Sequence, residues 1–280
     1  LVENFKVGGL KAYGLDYASL KALNPRLIYC SITGFGQDGP YAERAGYDLM
    51  IQAMSGMMSI TGRADDQPGG GPLRVGVALT DLFTGVYAAT AILAALVQRG
   101  RTGEGQHIDM ALMDVATSIM ANQAMNYLAS GKAPGLMGNA HPNLAPYAVF
   151  DCKDGWLILA TGNDGQYQRL CKILGLPDMA TAPEFLTNAD RVKNRAAMTD
   201  RITAATKGWA KADLLAACEA EGVPAGPIND MAEVFADPQV VARGMQIAPE
   251  GIQGVRSPMT FSGAELALDR PAPRLGQHQD

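Results

Sequence analysis

Few groups in this chain can do covalent chemistry, and the carboxylates stand out among them. Asp81 lies in Gly76-Val-Ala-Leu-Thr-Asp-Leu-Phe-Thr-Gly-Val-Tyr87, and no charged residue follows it until Arg99. It therefore heads a long apolar helical run, where two roles are open to it. As an N-cap it would accept a backbone N–H of the second or third helical residue, worth about 1 kcal/mol. As a reagent it would stay ionised, because a helix N-terminus favours negative charge. An ionised carboxylate can attack an activated acyl group. The residues alone favour the cap.

The other familiar constellations are missing. There is no G-x-S-x-G elbow, P-loop or H-E-x-x-H pair, and Gly103-Glu-Gly105 is too short for a dinucleotide fingerprint. His107, His141 and His278 have no cysteine or carboxylate at ligand spacing, so a structural role is expected for each and no metal site. Cys30, Cys152, Cys171 and Cys218 lie far apart without a C-x-x-C pair, which fits reduced, buried thiols in a cytosol-like compartment.

These residues need a scaffold, and the totals bound it. A chain of 280 residues, 48% hydrophobic and 18% charged, can bury a large core. A net charge of -5 without a basic stripe argues against a nucleic-acid partner. The first residues show no signal-peptide pattern. The apolar run 82–97 falls short of the ~20 residues a spanning helix needs, and Thr84, Gly85, Tyr87 and Thr90 interrupt it. A buried core helix is expected there rather than a membrane span.

The pattern up to residue 130 alternates strand and helix. It predicts helices over 17–23, 47–58 and 112–128, and one with Asp81 in its first turn that runs to Arg99 (with Gly100 as the residue after the last turn). Strands are predicted over 27–32 and 106–110, the first apolar throughout, as in a parallel sheet buried on both faces. Met50, Met54, Met57 and Met58 are expected to fill core space. The Gly-rich loop 34–40 at the strand's carboxyl end is either a site wall or a plain turn.

Residues 131–146 are rich in Gly, Pro and Asn and predict a linker. A smaller α+β domain follows over 147–235. It has a hairpin of 147–150 with 156–161 around Asp154-Gly155, and helices over 165–174, 189–207 and 211–221. The segment 236–280 is expected to return over the first domain, with a short helix at 237–244, an extended stretch at 255–261 and an irregular tail.

Several stretches together resemble the class III CoA-transferases. They are Leu1-Val-Glu-Asn-Phe5, Asn24-Pro-Arg-Leu-Ile-Tyr-Cys-Ser-Ile-Thr-Gly-Phe-Gly36, Arg44-Ala-Gly-Tyr-Asp48, Thr102-Gly-Glu-Gly-Gln106, Gly222-Val-Pro-Ala-Gly-Pro227 and Asp237-Pro-Gln239. They fall in family order and cover essentially the whole chain. The Tyr-Cys-Ser-Ile-Thr-Gly, Arg-Ala-Gly-Tyr-Asp and Leu-Gly-Gln-His stretches are similar to those of members that use dicarboxylates.

The resemblance implies an α/β fold with a Rossmann-like large domain, a smaller α+β domain and an interlocked homodimer in the cytoplasm, or in mitochondria if the source is eukaryotic. It makes Asp81 the nucleophile, with coenzyme A as substrate and no permanent cofactor. Asn4 and Phe5 match a CoA-contacting loop. Lys11 stands beside Ala12, which replaces an arginine of the formate-using relatives. Tyr47, Asp48 and Gln52 match the wall beside the nucleophile.

Asn163-Asp164-Gly165 lies where relatives place a loop over the acyl group, and it reads equally as an oxyanion donor or an ordinary cap. Arg44 and Arg74 could each pair a distal carboxylate bidentately or form surface salt bridges. Tyr47 stands where the superfamily's racemases carry a histidine, which makes a 2-methylacyl-CoA racemase the second expectation. The resemblance also implies an N-terminal βα portion and a longer C-terminal helix, and the expectation is that this chain lacks the first and has the second cut. A non-catalytic acyl-CoA-binding fragment is the third expectation.

Overall fold

The computed structural model describes residues 1–277. His278 and the last two residues of the expected tail lie outside the described residues. The chain forms two compact units, Leu1–Pro142 and the part from Asn143 onward.

The first unit opens with β1 (Val2–Glu3), α1 (Tyr17–Leu23) and β2 (Tyr29–Thr33). Asp16 starts α1 by accepting the Ala18 and Ser19 N–H groups, and Asn24-Pro25 ends it. After β2 come α2 (Asp48–Met54), α3 (Met57–Ile60) and a small hairpin of β3 (Gly62–Arg63) with β4 (Gly71–Pro72). Then follow α4 (Leu79–Thr102), β5 (His107–Ala111), α5 (Leu112–Ser118) and α6 (Ala121–Ser130). The strands form a parallel sheet in the order β1-β2-β5, with Tyr29–Thr33 in register against His107–Ala111. Tyr29, Cys30 and Ser31 of β2 are buried, as its apolar run predicts. His107 is structural: its Nε2 lies 2.9 Å from Ser31 Oγ and its ring stacks on Tyr17.

Three expected helices are pairs. The 47–58 helix breaks at Ser55-Gly56, where Gly56 takes φ 87. The 112–128 helix breaks before Ala121, which takes φ 44. In the second unit the 189–207 helix breaks at Asn194, whose backbone leaves the helical region. In the other direction, α4 passes straight through Gly100. It ends at Gly103, whose left-handed φ of 77 closes the last turn onto the Arg99 carbonyl.

Two burial expectations are also corrected. α4 is not buried all round. It buries one stripe of small residues, Thr80, Thr84, Ala88 and Ala95, and exposes the opposite stripe of Leu82, Val86, Leu93 and Val97. A helix apolar on every side has no polar face to tell which side its own chain covers. Likewise α2 turns Ile51 and Gln52 inward and leaves Met50 and Met54 exposed. Of the four methionines only Met57 is buried.

The second unit contains β6 (Tyr147–Cys152), β7 (Gly155–Ala160), α7 (Asp164–Ile173), α8 (Pro177–Thr181), α9 (Asn188–Lys193), α10 (Arg195–Thr206) and α11 (Lys211–Ala220). After them come β8 (Ala225–Pro227), α12 (Met231–Ala236), α13 (Pro238–Ala242), β9 (Gln246–Ile247) and β10 (Gly254–Val255). β6 and β7 form the expected hairpin, and β8 adds an antiparallel third strand. Leu157 and Leu159 face a core with Phe150, Tyr167, Leu170 and Ile202, while Trp156 and Ile158 alternate outward. Five elements of this unit escape a periodicity search because they are too short: α8, β8, α12 with its Asp230/Glu233 capping box, and the paired strands β9 and β10. The stretch beyond Val255, expected as extended, contains no further strand among the described residues.

Candidate active site

The parallel strands β1, β2 and β5 end at a common edge, and a cavity of about 530 Å³ opens there. Open α/β sheets place ligands at such carboxyl ends. Asn4 and Phe5 follow β1, Gly34 follows β2, and Leu112 follows β5; all four line the cavity. The opposite wall is the stretch from Ala42 to Tyr47. Of the Gly-rich loop only Gly34 reaches the cavity. It does so because its backbone crosses that of Gly46: a Cβ on Gly34 would sit 2.5 Å from the Gly46 Cα, and one on Gly46 would sit 2.3 Å from the Gly34 Cα. Both positions exclude any side chain, and their crossing brings Arg44 and Tyr47 to the wall.

Asp81 reaches the cavity from the first turn of α4. It does not cap the helix. The residue preceding the helix is Ala78, which makes no side-chain bond, and the capping group comes from another helix. Asp48 Oδ1, on α2, accepts the Thr80 backbone N–H at 2.8 Å and the Thr80 hydroxyl at 2.6 Å. Gln52, one turn further along α2, holds the other Asp48 oxygen through its Nε2 at 2.6 Å. Its Oε1 accepts the Val75 N–H at 2.9 Å, and its Nε2 also reaches the Val77 carbonyl at 3.4 Å. Gln52 is fully buried with these partners. α2 therefore clasps both the approach to α4 and its first turn. That leaves the Asp81 carboxylate without a structural duty.

The two carboxylates are driven apart electrostatically. Partial burial and then the nearby negative charge of Asp48 raise the Asp81 carboxyl above its ordinary value. Burial also raises Asp48, but the hydrogen bonds from Thr80, Gln52 and the Asp81 backbone outweigh it and bring the net value below normal. Asp48 is thus the more acidic partner. Asp81 is the more basic carboxylate, which differs from the expectation that the helix terminus alone sets its charge.

The structure separates the remaining candidates. Asn4, Phe5, Arg44, Tyr47 and Asp81 share the cavity. Asp48 and Gln52 lie behind its wall. Lys11, on an exposed turn, and Arg74, exposed ahead of α4, are not on the wall. Arg44 lies with its guanidinium carbon 3.9 Å from the Tyr41 ring centre, and Tyr41 in turn meets Phe35 edge-on.

Asn163, Asp164 and Gly165 belong to the second unit. Asn163 caps α7 by accepting the Gln166 N–H, and Gly162 N–H is held by the Gln166 side chain at 2.7 Å. Asp164 pairs at 2.7 Å with Arg191, a buried guanidinium that also binds the Ala145 and Phe185 carbonyls. Both side chains of the triplet are therefore engaged structurally.

Sequence reasoning missed Lys6, Thr84 and Gly85, which also line the cavity. For the last two a signal existed: they stand three and four residues after Asp81, on the same helix face.

The model of CoA-transferase family III matches residues 1–279. The chain belongs to that family. A succinate–glutarate CoA-transferase of Agrobacterium fabrum is 55% identical, over all of this chain and 70% of the relative. The human succinyl-CoA:glutarate CoA-transferase is 41% identical, over 99% of this chain and 64% of its own length. An acetyl-CoA:oxalate CoA-transferase of Acetobacter aceti is 40% identical, over 99% of this chain and 71% of the relative. The chain thus spans about two thirds of the length of these relatives. In three dimensions it resembles a crystal structure of a CAIB/BAIF family protein from Brucella suis. That match has a TM-score of 0.86 at 58% identity and covers 99% of this chain and 72% of the other. The chain therefore has the class III CoA-transferase fold, with mixed α and β content.

Proposed function

We propose that this family III chain transfers CoA between an acyl-CoA and a free carboxylic acid, with a dicarboxylate as one partner. The observation that carries the proposal is the Asp81 carboxylate, which opens onto the cavity while Asp48 does its capping work. Relatives named for succinyl-CoA, glutarate and oxalate support the substrate class.

In the proposed sequence, an Asp81 oxygen attacks the thioester carbonyl and CoA thiolate leaves, giving a mixed anhydride. The thiolate then attacks the aspartyl carbonyl and expels the donor acid, leaving an aspartyl-CoA thioester. The acceptor carboxylate attacks that thioester and releases thiolate, forming a second mixed anhydride. Attack of the thiolate on the acceptor's acyl carbon yields the new acyl-CoA and regenerates the aspartate. Each step exchanges one activated acyl bond for another, so the sequence consumes no ATP.

Arg44 is our candidate for a distal carboxylate, since it stands on the cavity wall and Arg74 does not. The triplet Asn163-Asp164-Gly165 stays in the proposal only through its backbone N–H groups. We also infer a Rossmann-like large domain built on the β1-β2-β5 sheet, and a homodimer that covers the exposed stripe of α4.

The test is exchange of CoA from succinyl-CoA to glutarate, with a mass spectrum of the Asp81 peptide taken during turnover. A CoA or acyl adduct on that peptide is the expected result. Exchange without any adduct at Asp81 would reject the mechanism, and solvent deuterium entering an α-carbon would point to the racemase chemistry instead.

A further inference from the structure

We infer that Gly85 forms part of the substrate-binding site: the space left by its missing side chain is the seat of the thioester beside Asp81. This rests on the CoA-transfer proposal above.

Glycine is the poorest helix former after proline, yet Gly85 sits in the interior of α4, well away from both ends. None of the usual structural reasons accounts for it. Its backbone does not take a positive φ, unlike Gly56 or Gly103. Among the described residues no close neighbour excludes a side chain, as happens where Gly34 crosses Gly46: a Cβ at Gly85 would meet nothing within 4 Å. Gly100, the other glycine inside α4, also has an open Cβ position, but it stands in the last turn, where helices fray.

What sets Gly85 apart is its place. It lines the cavity together with Thr84 and Asp81, and it follows Asp81 by four residues on the same helix face. Side chains on a helix lean toward its N-terminus and cover the preceding turn. A side chain at position 85 would therefore extend toward the Asp81 carboxylate, and a long one would cover it. That is the volume the thioester carbon and sulfur must enter for an Asp81 oxygen to attack the carbonyl and thiolate to depart. A glycine there trades helix stability for access to the nucleophile.

The test compares Gly85→Ala, Gly85→Leu and Gly100→Ala with the parent chain. Alanine at either position is expected to raise the unfolding midpoint. Gly85→Ala is expected to lower kcat/KM for succinyl-CoA by roughly 10-fold, the scale of one misplaced methyl group in a fitted pocket. Gly85→Leu should lower it much further, and Gly100→Ala should leave exchange unchanged. Labelling of Asp81 by a water-soluble carbodiimide and an amine, read by mass spectrometry, should be slowed in Gly85→Leu.

The inference is overturned if Gly85→Leu exchanges CoA as the parent does, or if its Asp81 labels at the parental rate. It is also overturned if Gly85→Ala destabilises the chain or changes its mass in light scattering, because the glycine would then serve packing. A parent chain that exchanges no CoA would reject the transferase proposal separately, and the Asp81 labelling would still decide the role of Gly85.

Discussion

Asp81 is defined by what it does not do. Its helix is capped by Asp48, and its carboxylate makes no hydrogen bond among the described residues. Its carboxyl is raised by burial and by Asp48, so the protonated form is favoured in the folded state relative to the unfolded one. A group with a raised folded pKa stabilises below its unfolded pKa, and that contribution is lost as pH rises through the folded value. Once ionised, Asp81 thus opposes folding. Asp81→Asn should leave the unfolding midpoint equal or higher while exchange drops to below about a thousandth, as when a nucleophile is removed. A lower midpoint in urea would restore a structural role. The same shift sets the pH profile. Only the carboxylate attacks, so kcat/KM should fall on the acid side with its midpoint above the ordinary aspartate value. Asp48→Asn removes the neighbouring charge and should move that midpoint down; an unmoved limb would show that Asp48 does not tune it. Nothing in the sequence could give this, because the two carboxylates are 33 positions apart and meet only through the fold.

At the scale of elements, α2 and α4 work as one device. Gln52 is fully buried and bonded to Asp48, to Val75 N–H and to the Val77 carbonyl, so it fixes how the chain enters α4. Gln52→Leu would bury the Val75 N–H and one Asp48 oxygen without partners. An unsatisfied buried group costs about 1–3 kcal/mol, and a loss of that size should be measurable in urea. The first turn of α4 would loosen with it, and kcat should fall more than KM rises; unchanged kcat would separate the clasp from the chemistry. The elements themselves were mostly legible. β2, β5, the β6–β7 hairpin and α4 announce themselves through period and turn residues. The helix breaks at Gly56, Asn194 and Ala121 were not, since the apolar period continues across each of them and only the backbone records the interruption. Gln52 was expected on the cavity wall through the family resemblance alone; the helix phase that turns it inward became visible only with α4 in place.

The whole molecule explains the largest misjudgement, the burial of α4. The second unit closes its own core, with Phe150, Leu157, Tyr167, Leu170, Met198 and Ile202 all buried together. Among the described residues the corresponding cluster in the first unit is smaller: Ile51, Leu112 and Ala116, with the partly buried Ile32, Phe35 and Met113 packed on it. α4 meets its own unit through small residues, while Leu82, Val86, Leu93 and Val97 form an apolar stripe open to solvent. Contiguous apolar surface of this kind marks a contact site, and composition cannot tell whether a second copy or the same chain covers it. We have proposed a second copy. The prediction is a change in association without a change in fold. Leu93 and Val97 are 64% and 63% exposed and do not line the cavity, so replacing both with lysine disturbs neither the core nor Asp81. Light scattering should show the parent at twice the mass of one chain and Leu93→Lys/Val97→Lys at the mass of one, with unchanged far-ultraviolet dichroism. The parent's unfolding midpoint should also rise with concentration, while that of the double variant should not, because association stabilises the folded state by mass action. A parent chain of single mass at micromolar concentration would reject the homodimer, and vesicle binding lost in the double variant would assign the stripe to a lipid surface instead.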